Sequence, residues 1–173
     1  MTKGLQRSLS RAPIASRPAA LLSHTIVLTN AALTLDGASG VGFGSLVAGQ
    51  LPEGNIILQG GVAYLQFAGS GSDAGLVDTW AGDYGVGSTP ASDGTISAGD
   101  VDMVGTTALA AAAAEVSPRT RGTGNTQVIL DNTDGSLEVN VSLLVDDADV
   151  SADGIPITVS GEIEILYTKV LDD

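Results

Sequence analysis

The sequence predicts an all-β protein, an antiparallel sandwich or barrel that follows a basic N-terminal segment. Apolar and polar residues alternate with a period of two in several stretches, which is typical of strands that bury one face. Turns rich in Gly, Asp and Asn separate these stretches, and we expect about eight to ten strands and at most two short helices. No repeat recurs at a fixed period, which argues against a propeller or a solenoid.

The composition allows one domain with its own hydrophobic core, because the chain has 173 residues. Of these, 43% are hydrophobic and 3% are aromatic, so we expect a core built mainly from Ala, Val, Leu and Ile. The absence of cysteine excludes disulfides, thiol nucleophiles and thiolate metal sites. No apolar run approaches the ~20 residues that cross a bilayer, so we expect no membrane partner.

Acidic and basic residues are distributed very unevenly along the chain. Four of the seven basic residues lie within the first 17 positions, and all twenty acidic residues lie from Asp36 onward. From Leu22 to the end, three basic residues stand against twenty acidic ones, which gives this part a charge of −17. Such a body repels nucleic acid, so we expect no nucleic-acid partner.

The first elements of the body show the period of strands. Residues 23–37 predict a strand or a bent pair of strands. Residues 55–69 predict a hairpin, because Gly60-Gly61 separates two apolar runs.

The middle of the chain has weaker signals. Residues 69–94 are dense in Gly, Ser and Asp, and we expect one or two short strands in them, for example at 76–80. Residues 96–105 predict another strand.

The alanine-rich stretch at 106–116 has the highest helix propensity of the chain. Thr106 or Thr107 is suited to cap a short helix there, and Pro118 would end it. The alternative is an extended segment in a tight core.

The last two strands are the clearest. In residues 136–146, odd-numbered positions are apolar and even-numbered ones are mostly polar, so we expect a sheet with one wet face. Residues 155–171 predict the final strand, with a bulge or bend at Gly161. The apolar faces of the two strands consist of Leu137, Val139, Val141, Leu143 and Val145, and of Ile155, Ile157, Val159, Ile163, Ile165 and Tyr167.

The sequence contains no recognisable catalytic or cofactor site. His24 is the single histidine, and a catalytic triad requires a base held between a nucleophile and an acid. We therefore expect no enzyme activity, no cofactor and no metal site. The acidic loop with Asp146, Asp147, Asp149 and Asp153 could attract a cation, but Ser160 stands where an EF-hand loop would place its closing glutamate. The simpler interpretation is a solvated loop.

Trp80 and Tyr84 are rare aromatic residues within a glycine-rich segment. They either plug one end of the β body or anchor a partner, since aromatic residues are common in interfaces. We favour the plug and keep both residues as possible interface aromatics.

The chain divides into a basic arm, residues 1–22, and a β domain, residues 23–173. Basic residues recur in the arm every four positions with leucines between them, so a short amphipathic helix is expected to form on a partner rather than alone. Pro13 and Pro18 exclude one long helix. The residues expected to bind a partner are Lys3, Leu5, Arg7, Leu9, Arg11, Ile14 and Arg17.

The phrases AEVSPRT, LDNTDGSLEVN and DDADVSADG resemble the small head proteins encoded beside the major capsid gene of marine tailed phages. The resemblance covers roughly residues 75–173. It implies a capsid decoration, or cement, protein: a jelly-roll-like β body on the exterior of the virion, with the arm laid across the shell. The implied partners are the major capsid protein and other copies of this chain, as dimers or trimers. It implies no catalytic residue.

Two other functions remain open. One is a single jelly-roll capsid protein of a small virus, with the arm on the genome. Its arm charge of about +4 and the acidic body fit this role poorly. The other is a carbohydrate-binding β-sandwich that uses Trp80 and Tyr84 as stacking platforms.

Overall fold

A computed structural model describes residues 20–37, 42–70, 75–124 and 127–169. The described chain is almost entirely β, with two single-turn 3-10 helices at Ala98–Asp100 and Asp147–Asp149. Its strands are β1 Leu22–Leu35, β2 Gly42–Gln50, β3 Ile56–Ala68, β4 Gly82–Gly87, β5 Val104–Leu109, β6 Thr120–Gly124, β7 Val128–Leu130, β8 Glu138–Val145 and β9 Ile155–Lys169.

The strands form two antiparallel sheets that pack as a sandwich. The first sheet has the order β1-β9-β3-β6, with β7 also paired to β3, and the second has the order β2-β8-β4-β5. A chain folded once into a long hairpin would pair its strands as β1–β9, β2–β8, β3–β6 and β4–β5. All four of these pairs are present. Contacts of β9 with β3 and of β8 with β4 fold this hairpin into two sheets, which is the jelly-roll arrangement. The predicted fold class is confirmed.

The core lies between the two sheets and follows the predicted alternation. In β9, the odd-numbered positions from Ile155 to Tyr167 are all buried, whereas Glu162 and Glu164 are exposed. In β8, Val139, Val141, Leu143 and Val145 have no exposed surface. Burial of these aliphatic side chains is the main stabilising contribution to the fold.

The predicted wet face of β8 is wrong at its centre. Asn140 and Ser142 are buried, although they point away from the core. The segment between β4 and β5 covers them: the amide of Ala91 donates to Ser142 Oγ at 3.0 Å, and Asn140 Nδ2 donates to the carbonyl of Ser88 at 3.4 Å.

The predicted hairpin at Gly60-Gly61 is also wrong, because β3 runs unbroken through both glycines. The pairing of β3 with β9 shifts its register between Leu58 and Gly60. A Cβ at Gly61 would lie 2.6 Å from the carbonyl oxygen of Met103. The glycines therefore serve a bulge and a close backbone approach, not a turn.

The predicted helix at 106–116 is absent. Its first residues belong to β5, which pairs with β4 and alternates between exposed Thr106 and buried Leu109. Ala114 and Glu115 then take positive φ angles of 50° and 63°, which makes a tight turn closed by the bridge between Ala113 and Val116. Tertiary strand pairing overrides the helix propensity of alanine.

Two smaller expectations need correction in the same region. Residues 96–105 contain a 3-10 turn, and only the end of this stretch is strand, from Val104. At 76–80, Leu76 forms a single bridge with Val150 rather than a strand. The strand expected within 69–94 is β4.

The predicted bends near both chain ends are present. In β1 the register with β9 shifts between Leu28 and Ala31, and Asn30 has a φ of 49°. The amide of Asn30 donates to Ser160 Oγ at 3.0 Å, which pins this irregularity to β9. Gly161, opposite Leu28, has a φ of +148°.

Candidate functional site

The described residues do not bring together a cluster suited to a metal ion. No group of three or more His, Cys, Asp or Glu side chains within the described ranges is arranged to hold a metal ion. His24 is half-buried in β1, opposite Ile165 of the sheet. No helix among these residues is long and apolar enough to span a membrane.

Two carboxylates of the acidic loop brace neighbouring backbone. Asp149 Oδ2 accepts a hydrogen bond from the amide of Ala81 at 2.9 Å. Asp153 Oδ1 accepts one from the amide of Gly37 at 2.8 Å. These contacts tie the loop before β9 to the segments that lead into β4 and follow β1.

Trp80 and Tyr84 lie in the core, and neither has exposed surface. Trp80 Nε1 donates to the carbonyl of Glu115 at 3.0 Å. The Tyr84 hydroxyl lies 3.1 Å from the carbonyl oxygen of Thr120, and its ring packs 5.5 Å from that of Phe67. This burial leaves neither ring face open to a partner.

The predicted binding residues of the arm, Lys3 to Arg17, lie outside the described residues. The structure does describe where the arm joins the body. β1 begins at Leu22, which pairs with Tyr167, and β1 is an edge strand of the first sheet.

The solvent side of the first sheet carries a surface that sequence reasoning did not find. Strand register aligns four side chains in one row across the sheet: Val27 of β1, Glu162 of β9, Tyr64 of β3 and Arg121 of β6. The next row contains Thr25, Glu164, Val62 and Thr123. We call this surface, with Arg119 beside it, the outer face.

Apolar and aromatic groups are exposed at the centre of the outer face. Tyr64, in the middle of the row, is 45% exposed, and Val27 on the edge strand β1 is 70% exposed. Val62, Tyr64, Glu162 and Glu164 line an open depression of about 150 Å³. The guanidinium carbon of Arg119 lies 4.8 Å from the centre of the Tyr64 ring, a cation–π contact.

The outer face is divided by charge. Glu162 and Glu164 lie on β9, whereas Arg121 lies two strands away on β6, next to Arg119. No hydrogen bond or ion pair joins the side chain of either glutamate to another described residue. The surface therefore has an acidic strip, an apolar centre and a basic strip, all available for contact.

The sequence contained one part of this signal. Glu162 and Glu164 alternate with apolar residues along the chain, a pattern that is typical of the solvent side of any strand. Their neighbours Tyr64 and Arg121 are distant in the chain, and only the pairing of β9 with β3 and of β3 with β6 brings them together.

No protein-family model and no curated protein matches the sequence.

Proposed function

We propose that this protein is a structural component of a phage particle, a decoration protein that binds the outer surface of the head and stabilises it through its arm. The observation that carries the proposal is the contrast between the two parts of the chain. The body is a jelly roll in which polar side chains such as Asp149 and Asp153 brace neighbouring backbone. The arm is basic and free of acidic residues up to Asp36.

Charge explains why such a body would need an arm. The body, at −17, is repelled by any acidic shell surface. A basic arm supplies attraction locally and also extends the reach of the protein. Eighteen extended residues span up to ~60 Å. Joining the arm to the body raises the effective concentration of each at the shell.

The other functions have less support. A genome-binding capsid protein would place an acidic body beside nucleic acid, which costs free energy. A carbohydrate module that stacks sugars on Trp80 and Tyr84 would need those two rings exposed, whereas neither has exposed surface.

Cryo-electron microscopy of purified native particles tests the assembly role. We expect many ordered copies of the jelly roll on the outside of the head. Brief protease treatment of intact particles distinguishes the exterior from the interior, because an exterior protein is digested while the genome stays protected. A protein that is absent from purified particles, or that resists protease until the particles are opened, contradicts the proposal.

Two variants test the arm. Deletion of residues 1–20 should nearly abolish binding to undecorated heads. Replacement of Arg7, Arg11 and Arg17 by alanine should weaken binding more at low salt than at high salt, because salt screens the lost attraction. A control variant with residues 2–19 in shuffled order keeps the net charge of the arm but moves its apolar residues to other positions. Undiminished decoration by the deleted protein would show that the arm is not the tether.

A further inference from the structure

We propose that the outer face binds the outer face of a second copy of this chain about a two-fold axis at Tyr64. This inference is independent of the proposed function, since it concerns two copies in solution and requires no capsid. The partner is a second copy of this chain, and the contact surface is the outer face, with Tyr64 at its centre.

The charge of the body singles out this surface. From Leu22 onward the chain has only three basic residues, and two of them, Arg119 and Arg121, belong to the outer face. Two copies of a body with a charge of −17 repel each other in most of the relative orientations in which they can approach. On the outer face the two arginines balance Glu162 and Glu164, so this approach escapes most of that repulsion.

The order of the strips makes the surface self-complementary. Glu162 and Arg121 each lie one strand from Tyr64, on opposite sides, and strands are about 4.8 Å apart. A two-fold axis that lies between the two faces and runs along β3 over Tyr64 therefore brings Glu162 of one copy over Arg121 of the other, and the reverse. An isologous interface requires this kind of match. Arginine suits it, because its planar fork can hold a carboxylate with two hydrogen bonds.

The centre of the surface supplies apolar contact at the axis. Tyr64 is 45% exposed there, and Val62 lies beside it on the same strand and lines the same depression. Aromatic residues are favoured at the centres of interfaces, and charged pairs around them exclude water.

The sheet is also large enough. β3 and β9 have 13 and 15 residues, so the face is about 40 Å long and about 15–20 Å wide. Such a face can bury on the order of 600–800 Å² per copy, close to the ~800 Å² of a standard interface.

Charge reversal provides the decisive test, with the full chain and sedimentation equilibrium in about 0.15 M salt. The intact protein should form dimers that dissociate on dilution. In E162K/E164K the face becomes wholly basic, and in R119E/R121E it becomes wholly acidic. Each variant alone should dimerise at least about tenfold more weakly. An equimolar mixture of the two should form heterodimers at least as tight as the intact dimer, because opposite faces then meet.

A matched control carries the same charge change elsewhere. Glu53 and Glu138 lie outside the outer face, so E53K/E138K should dimerise at least as well as the intact chain. Circular dichroism and thermal unfolding identify any variant that fails to fold. A deletion of residues 1–20 should keep the dimer.

A cross-link tests the position of the axis. The chain has no cysteine, so Val62→Cys, on the same strand as Tyr64, introduces one thiol per copy and keeps the tyrosine in place. Packed sheets lie about 10 Å apart, beyond the reach of a disulfide, so the probe is a short bis-maleimide. It should join two V62C copies in high yield, and it should not join V47C copies, whose thiol lies in β2 of the second sheet.

Four results would overturn the proposal. These are an intact protein that stays monomeric near 1 mM, charge-reversed variants that associate like the intact chain, a mixture that fails to restore dimers, and loss of dimers on deletion of residues 1–20. The last result would make the arm the occupant of the outer face.

Discussion

The backbone amide of Ala91 donates a hydrogen bond to the Ser142 hydroxyl at 3.0 Å, and this contact closes a loop over the second sheet. Ser142 has no exposed surface, and its hydroxyl also lies 3.0 Å from that of Ser45. In the alternation of β8, Ser142 lies on the side that faces away from the core. It is nevertheless buried, and it belongs to a second buried layer, which is polar. Residues between β4 and β5 cover this side of the sheet, whereas the outer face of the first sheet stays open.

Ser142→Ala should lower the free energy of unfolding by about 1–2 kcal/mol, because the Ala91 amide loses its acceptor in a buried place. Urea unfolding followed by circular dichroism measures this change. Glu138→Ala, in the same strand but half-buried, should change stability by no more than about 0.5 kcal/mol. Equal effects of the two substitutions would contradict the buried polar layer.

Asp102 fixes the end of the same loop. It accepts hydrogen bonds from the amide and the hydroxyl of Ser88, at 2.8 Å and 2.6 Å. Partial burial raises the pKa of Asp102 above its usual 3.8, against the lowering effect of the Ser88 hydrogen bonds. The folded state therefore holds this proton at a pH where the unfolded state has released it. The stability that results is fully present below pH 3.8 and is lost as pH rises through the raised pKa.

Asp102→Asn removes this titration. From pH 3.5 to pH 7.5, the free energy of unfolding of the intact chain should fall relative to that of Asp102→Asn. Urea unfolding at several pH values measures the difference. Asp93→Asn serves as the control and should show the opposite trend, because hydrogen bonds from Thr95 lower the pKa of Asp93 in the folded state. A constant difference between intact chain and Asp102→Asn would show that burial does not govern this carboxyl group.

The sequence predicted those parts of the fold in which burial decides the residue type. The inward positions of β8 and β9 alternate strictly, since each strand buries one face against the opposite sheet. Gly60-Gly61 misled because glycine serves turns and close approaches equally well. The alanines after Thr107 misled because intrinsic propensity is weaker than the pairing of β5 with β4.

The outer face was beyond sequence reasoning for a different reason. Its members come from β1, β3, β6 and β9, and their alignment depends on non-local register. A slip of one residue in β3 would turn Tyr64 inward and remove the centre of the surface.

Tyr84→Phe should reduce stability by about 1–2 kcal/mol, because the carbonyls of Ala63 and Thr120 lose a buried donor while the ring stays in place.

Burial raises the pKa of Tyr84 from 10 to about 12. Between these values the unfolded state loses the proton first, so this contribution to stability is present below pH 10 and is lost above it. Above pH 10 the intact protein should therefore lose stability more steeply than Tyr84→Phe. Parallel slopes for the two proteins in urea unfolding at pH 9–11.5 would contradict this assignment.

Gly161 should be the least replaceable residue of β9. Its φ of +148° disfavours any side chain, and a Cβ there would overlap the carbonyl oxygen of Tyr64 on β3. Gly161→Ala must therefore strain the backbone and push β3 away, at a cost of about 3 kcal/mol or more.

Gly154→Ala separates the two effects, because Gly154 has a φ of +74° but no atom within 4 Å of the added carbon. It should cost only about 1–2 kcal/mol. Gly105→Ala, whose new carbon would lie 3.6 Å from the Thr123 carbonyl oxygen, should cost nothing measurable. Thermal and urea unfolding of the three variants should give this order. A Gly161→Ala protein as stable as Gly154→Ala would mean that β3 and β9 do not approach each other as closely as described.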